Sequence, residues 1–233
     1  MRLTIDPAEF LEVLHPALES GDRDRVVAAV RSRWLPPQLC PLVQSPEPDV
    51  RRVVALVLGM VGDRHVTDCL ARALRDPDKT VHQMAEHALW SIWFRSGRPS
   101  AVKPFREGLA MLNQRAYQAA IPWFREAFAA DPDFAEAYNQ TAIAHFFLRQ
   151  WGESLEDCGQ AVKLTPTHFG AIAGMGHCLM ELGDLSRAFQ CYRQSLTINP
   201  RMPAIASAVG RLQTSLRAVA DEGEEFCLES MLA

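Results

Sequence analysis

From residue 101 onward the chain repeats itself every 34 residues, and this constrains the fold more than any other feature. Small residues recur at Gly108, Ala142, Gly176 and Gly210. A second small column reads Ala120, Ser154 and Ala188, and a third reads Ala127, Ala161 and Ser195. Larger side chains align at Tyr117, Trp151 and Leu185, and again at Phe124, Cys158 and Tyr192. A proline closes each unit at Pro132, Pro166 and Pro200. Within a unit, apolar positions recur at helical spacing in two runs of about a dozen residues. Turn-like segments such as Asn113–Arg115 and Glu181–Asp184 separate the runs. The small columns let paired helices approach closely, the bulky column fills the gap, and the proline ring stops the second helix. A helix pair of this kind cannot bury both faces alone, so the units must stack.

The segments Tyr117–Pro132 and Leu185–Pro200, and the unit opening Ala135-Glu136-Ala137-Tyr138, resemble tetratricopeptide (TPR) repeats. The resemblance covers three units, 101–134, 135–168 and 169–202, with 203–219 similar to the capping first helix of a fourth. His145 and Gln213 depart from it, in a column where the family prefers a large apolar or aromatic side chain.

The N-terminal part follows another period. Ser45-Pro46-Glu47 with Val50 returns 31 residues later as Asp76-Pro77-Asp78 with Val81, and Leu58 and Val61 return as Leu89 and Ile92. The stretch Asp49–Gly59 is similar to HEAT repeats, especially the short bacterial type seen in bilin lyases. Two copies are recognisable, 22–44 reads as a shorter degenerate copy, and 6–19 as a leading amphipathic helix. An amphipathic helix is expected over Asp63–Asp76, and Ser96–Ser100 marks a break. The expected architecture is all-α: an α-solenoid with a HEAT-like array (1–95), a linker (96–100), a TPR domain (101–220) and an acidic tail (221–233).

Charge excludes some partners. The tail holds five acids and no base, which leaves 24 basic and 23 acidic side chains for the rest. A nearly neutral body with no basic stripe does not suit nucleic acid, and no cationic amphipathic face suits anionic lipid. No stretch approaches the roughly 20 apolar residues of a membrane span. The N-terminus carries no secretory signal pattern, so a cytoplasmic location and six reduced, mostly buried cysteines are expected.

Catalytic patterns are missing: no nucleophile elbow, no phosphate-cradling glycine loop and no His-Glu-x-x-His helix. His82, Glu86 and His87 share one helix, but the aligned positions of the other copy are Arg51, Ala55 and Leu56, so they cannot enclose a metal. His145 reads as a packed, hydrogen-bonded imidazole. No enzyme activity, cofactor or metal is expected.

In the TPR pattern the first helices line a concave face. The resemblance then assigns partner binding to Phe105, Arg106, Leu109 and Asn113 in the first unit. It adds Asn139, Gln140, Ile143, Phe146 and Phe147 in the second, and His177 and Met180 in the third. Family members that clamp a terminal carboxylate use Lys, Arg and Asn at positions held here by Phe105, Leu109, Gln140, Gly170 and Gly174. The expected surface is therefore an apolar trough in which Asn139 and Gln140 fix a partner's backbone, as in a protein-binding scaffold or adaptor. The alternatives are a trough filled by the protein's own HEAT helices or by its tail residues Phe226, Leu228, Met231 and Leu232, a bilin-lyase-like cofactor handler, or a stable regulatory subunit.

Overall fold

Aspartates placed just ahead of apolar runs start several helices of the N-terminal unit. Asp6, Asp22 and Asp78 each accept hydrogen bonds from two amides of the first turn that follows, which satisfies donors a helix start leaves unpaired. The computed structural model describes residues 5–216. Among these it is all-α, with no strand. The chain divides into two compact units, Met1–Arg98 and Pro99–Ala233.

The first unit contains α1 (Pro7–Glu19), α2 (Arg23–Arg31), the short α3 (Pro36–Leu39) running into a 3-10 turn at Cys40–Gln44, α4 (Pro48–Val61), α5 (Thr67–Ala73) and α6 (Lys79–Arg95). Its core is the repeat seen in sequence: Val50, Val54, Leu58, Val81, Leu89 and Ile92 are fully buried. The helix expected over Asp63–Asp76 is shorter. Asp63 caps a 3-10 turn at Arg64–Val66, and the α-helix runs only from Thr67 to Ala73.

Charged pairs tie the two HEAT-like copies together. Arg51 forms a two-pronged contact with Asp76, Nε to Oδ2 at 2.6 Å and Nη2 to Oδ1 at 3.0 Å, while its Nη1 donates to the Ser45 and Pro46 carbonyls. Arg52 pairs with Asp78 and Asp49. His82, in register with Arg51, is buried with Nδ1 2.7 Å from the Leu74 carbonyl oxygen. It thus engages a backbone carbonyl just upstream, as Arg51 does.

The expectation of reduced cysteines fails at one pair. Cys40, opening the 3-10 turn, and Cys69, in α5, form a disulfide with Cα atoms 5.7 Å apart, inside the range a disulfide can bridge. Cys158 and Cys178 are free and buried.

The second unit contains α7 (Pro99–Asn113), α8 (Tyr117–Ala130), α9 (Ala135–Phe147), α10 (Trp151–Leu164), α11 (Phe169–Glu181) and α12 (Leu185–Ile198), then a helical segment at 203–216. Pro99 and Ser100, expected in the linker, form the first turn of α7, because proline is tolerated where a helix needs no amide. Each pair turns through one left-handed residue at the same register: Arg115 (φ 60°), Arg149 (φ 61°) and Gly183 (φ 80°).

The small and bulky columns meet as their chemistry demands. A Cβ added at Gly108 would lie 2.5 Å from the Phe124 ring, and one at Gly176 would lie 2.5 Å from the Tyr192 ring. In the middle unit the same two columns hold Ala142 and Cys158. Glycine goes with a ring, alanine with a small thiol.

Candidate functional site

The face of interest lies on α7, α9 and α11, the first helices of the three TPR units. Of the positions expected there, Arg106, Asn113, Phe147, His177 and Met180 are exposed, and Leu109, Ile143 and Phe146 are partly so. Phe147 is the most open, at 57%. Three expected residues do not reach the surface. Phe105 is buried, its ring 4.6 Å from Phe134 and 5.8 Å from Phe124. The loop that opens the next unit supplies Phe134, and this ring closes over the position.

Asn139 and Gln140 are also buried, and their amide donors are used internally. Asn139 Nδ2 donates to Glu136 Oε1 at 3.1 Å, and Gln140 Nε2 donates to the same oxygen at 2.6 Å. The other oxygen, Oε2, lies 2.9 Å from His168 Nε2. His168 Nδ1 accepts from the Ala171 amide at 3.1 Å, which places the imidazole proton on Nε2, facing Glu136. Glu136 and His168 are completely buried, so their pairing offsets a large desolvation cost. The network locks the start of α11 against α9. It cannot hydrogen-bond a ligand's backbone, as the sequence had suggested. One signal was present: Glu136, Asn139 and Gln140 stand at i, i+3 and i+4, which puts them on one helical face.

Rings rather than amides dominate what remains accessible. Tyr117 stacks on Phe147 at 4.8 Å and 12°. Phe147 meets Phe146 edge-on at 6.1 Å, and Phe146 lies 6.2 Å from the His177 imidazole. His177 packs against Tyr192 at 5.2 Å, with the Tyr192 hydroxyl 2.7 Å from His177 Nδ1. Desolvation lowers the His177 pKa below its ordinary value, so the ring is neutral at pH 7. Burial pushes the Tyr192 phenol up to about 12. The result is a continuous aromatic row, Tyr117–Phe147–Phe146–His177–Tyr192, crossing the three TPR units without a charged side chain in it. Tyr117 and Tyr192 were visible in sequence only as packing columns.

Other polar groups of this unit serve packing. His145 Nδ1 lies 3.0 Å from Asp157 Oδ2, an ion-pair distance without hydrogen-bond alignment. Burial raises the Asp157 carboxyl pKa despite this neighbour. The Cys178 thiol donates to Ser154 Oγ at 3.1 Å, and Ser154 Oγ donates to the Ala142 carbonyl at 2.8 Å. Among the described residues no group of three or more His, Cys, Asp or Glu side chains could hold a metal ion, and no helix is long and apolar enough to cross a membrane. The tail residues Phe226, Leu228, Met231 and Leu232 lie outside the described residues.

Comparison with known proteins agrees with both kinds of repeat. The HEAT repeats family matches residues 36–121, and the tetratricopeptide repeat family matches 170–202. The HEAT match runs past the unit boundary into α7 and α8, helices that the 34-residue columns place with the TPR units. A TPR repeat-containing protein of Rhizobium etli is 29% identical over 126 residues, 54% of this chain and 61% of that protein. The small glutamine-rich tetratricopeptide repeat-containing protein 2 of Saccharomyces cerevisiae is 26% identical over 155 residues, covering 64% of this chain and 44% of its own length. The chain thus spans about half the length of these relatives. Among solved structures, the first TPR of Spaghetti (RPAP3) bound to an HSP90 peptide has a TM-score of 0.50 at 23% identity, covering 51% of this chain and 94% of that one. The Sgt2 TPR domain from Aspergillus fumigatus also has a TM-score of 0.50, at 18% identity, covering 54% and 84%.

Proposed function

We propose that this chain, a HEAT-repeat segment followed by tetratricopeptide repeats, is a non-enzymatic adaptor or scaffold whose TPR face binds a polypeptide segment. The aromatic row from Tyr117 to Tyr192 carries this reading. It is continuous and uncharged, it opens to solvent at Phe147 and His177 while Tyr192 is buried, and exposed Met180 follows His177 by three residues on α11. Aromatic and methionine side chains give large contact area at modest entropic cost, which suits an apolar peptide segment.

The solved TPR domain noted above is bound to a peptide of HSP90. The positions that would clamp a terminal carboxylate here hold no cation, so a chaperone tail held by its end group does not fit this face. On this reading Arg106 and Asn113 flank the row and set the direction of the bound segment. Phe105, Asn139 and Gln140 shape it from beneath and touch nothing outside.

The test is affinity purification with mass spectrometry, comparing the intact chain with a Phe147→Asp/Met180→Asp variant. Both side chains are exposed, so circular dichroism should be unchanged and stability should fall only by about 1 kcal/mol for the lost stacking of Phe147 on Tyr117. A partner recovered with the wild type and lost with the variant is the expected result. Equal recovery from both would move the binding surface elsewhere.

A further inference from the structure

The HEAT-like unit contains a groove that the TPR reading does not use. It has a volume of ≈ 440 Å³ and lies between α2, α4 and α6. Along α6 it is lined from Thr80 to Ser91 at helical spacing, about 16 Å at 1.5 Å per residue. Leu56, Met60 and Met84 supply its apolar wall. Gly59 and Ala88 form a low floor, because α4 and α6 approach so closely there that a Cβ at Gly59 would stand 3.0 Å from that of Ala88. A trough three turns long with a low floor and methionine walls has the dimensions of a docked helix.

The charge lining the groove has one sign. No Asp or Glu lines it, and Arg23 does. Arg95 sits at one end, donating to the Gly59 carbonyl and to Ser91 Oγ, both groove residues. Burial, then the nearby Arg23 and Arg31, lowers the Arg95 pKa, so three guanidinium groups share this neighbourhood. Asp63 acts in the opposite direction on Arg95, and its Oδ1 accepts from the His65 amide and lies 2.9 Å from His65 Nδ1. Arg25, Arg33, Arg51 and Arg52 of this unit are paired with carboxylates. Neither Arg23 nor Arg31 has a carboxylate partner among the described residues.

We propose that this groove is a second binding site, which takes an acidic amphipathic helix of a partner protein. The apolar stripe of that helix lies on Leu56, Met60 and Met84, and its flanking Asp or Glu side chains face Arg23, Arg31 and Arg95. Charge sets which helices are accepted and speeds encounter, while the methionines adapt to the stripe.

The probe is a fluorescein-labelled amphipathic peptide of about 18 residues, long enough to outreach the three-turn groove, with leucines on one face and glutamates on the other. Its twin carries lysines in place of the glutamates. Fluorescence anisotropy with the full chain should give saturable binding of the acidic peptide, weakened by salt, and none of the lysine twin. Gln83→Glu/His87→Glu, at exposed positions, should weaken binding about tenfold, as should Arg23→Glu/Arg31→Glu. Unchanged melting would show that these variants fold. Met180→Asp, on the TPR face, should leave binding intact, which separates failure here from failure of the adaptor reading. The proposal is overturned if the acidic peptide does not bind, if both peptides bind alike, or if the groove variants bind as well as the wild type. It is also overturned if the groove variants abolish only self-association, or only binding of a fatty acid such as dodecanoate; these results would assign the groove to a second copy or to a small amphiphile.

Discussion

Replacing Gly108 with alanine tests the packing rule on which the TPR unit is built. In an open helix interior this change stabilises by about 1 kcal/mol, because alanine loses less backbone entropy than glycine. Gly159 in α10 is such a place, since an added methyl there would have nothing within 4 Å. At Gly108 the new carbon would lie 2.5, 2.6 and 3.0 Å from three carbons of the Phe124 ring, against a normal carbon contact of about 3.5–4.0 Å. The ring would have to retreat by about 1 Å, yet Phe124 is fully buried with the Phe105 ring 5.8 Å away. Overpacking of this kind costs about 1–3 kcal/mol, so Gly108→Ala should be net destabilising by about 1–2 kcal/mol once propensity is deducted. Phe124→Cys alone should cost about 3 kcal/mol. The double variant reproduces the natural Ala142/Cys158 pair of the next unit, and in that background the added methyl has room and should stabilise by about 1 kcal/mol. The cycle therefore predicts a favourable coupling of about 2–3 kcal/mol. Urea unfolding, with hydrogen exchange of α7 and α8 amides to localise the change, reads each corner. If Gly108→Ala stabilised as Gly159→Ala does, in both backgrounds, the glycine–ring complementarity would be refuted.

Three other perturbations have definite signs. Arg149 holds a left-handed turn at the register where the next unit has Gly183, so Arg149→Gly should stabilise by a few tenths to about 1 kcal/mol and Gly183→Ala should destabilise by about 1 kcal/mol; equal melting temperatures for both variants would deny strain at that register. The Arg52 hydrogen bond lowers the Asp78 pKa from 3.8 to about 2. The stabilisation it brings is fully present above pH 4 and is lost as pH falls through 2, so acid unfolding of Asp78→Asn should lack that part of the slope. Cleaving the Cys40–Cys69 bond frees a separation of 29 residues, which in the chain-entropy account lowers stability by about 3–4 kcal/mol. Melting with and without reductant, beside a Cys40→Ser/Cys69→Ser variant that should ignore the reductant, checks it.

The helical stack was legible because its information is periodic. Columns such as Gly108, Ala142 and Gly176 recur only if the same pair of helices touches at the same point in every unit, and no tertiary detail is needed to see that. The disulfide had no such signature, since Cys40 and Cys69 stand 29 residues apart in an array whose period is 31, so neither marks a repeated column. At the face, register identified Phe146, Phe147, His177 and Met180, which reach solvent, but it could not see what Phe105, Asn139 and Gln140 would meet. Their fates were decided by Phe134 from the following loop and by Glu136 and His168 from within the stack, contacts that occur once and leave no period.

Those single contacts also set the chemistry of the exposed face. Each amide used to satisfy Glu136 is one that no ligand can use, and the ring of Phe105 is spent against Phe124 and Phe134. The donors that would discriminate between polar partners are thereby removed from the middle of the face, leaving rings and a neutral imidazole. On the proposed reading, selectivity at the TPR face then rests on shape and apolar area, with Arg106 and Asn113 acting only from the first unit. A Glu136→Gln change probes this directly. The glutamine carbonyl can still accept from Asn139 and Gln140, but its NH2 group then faces the His168 Nε2–H, donor against donor. The melting temperature should fall because His168 loses its acceptor, while partner choice stays apolar because Asn139 and Gln140 remain buried. If Glu136→Gln left stability unchanged, or made the face accept polar segments, the buried network would not be what keeps these amides from a ligand.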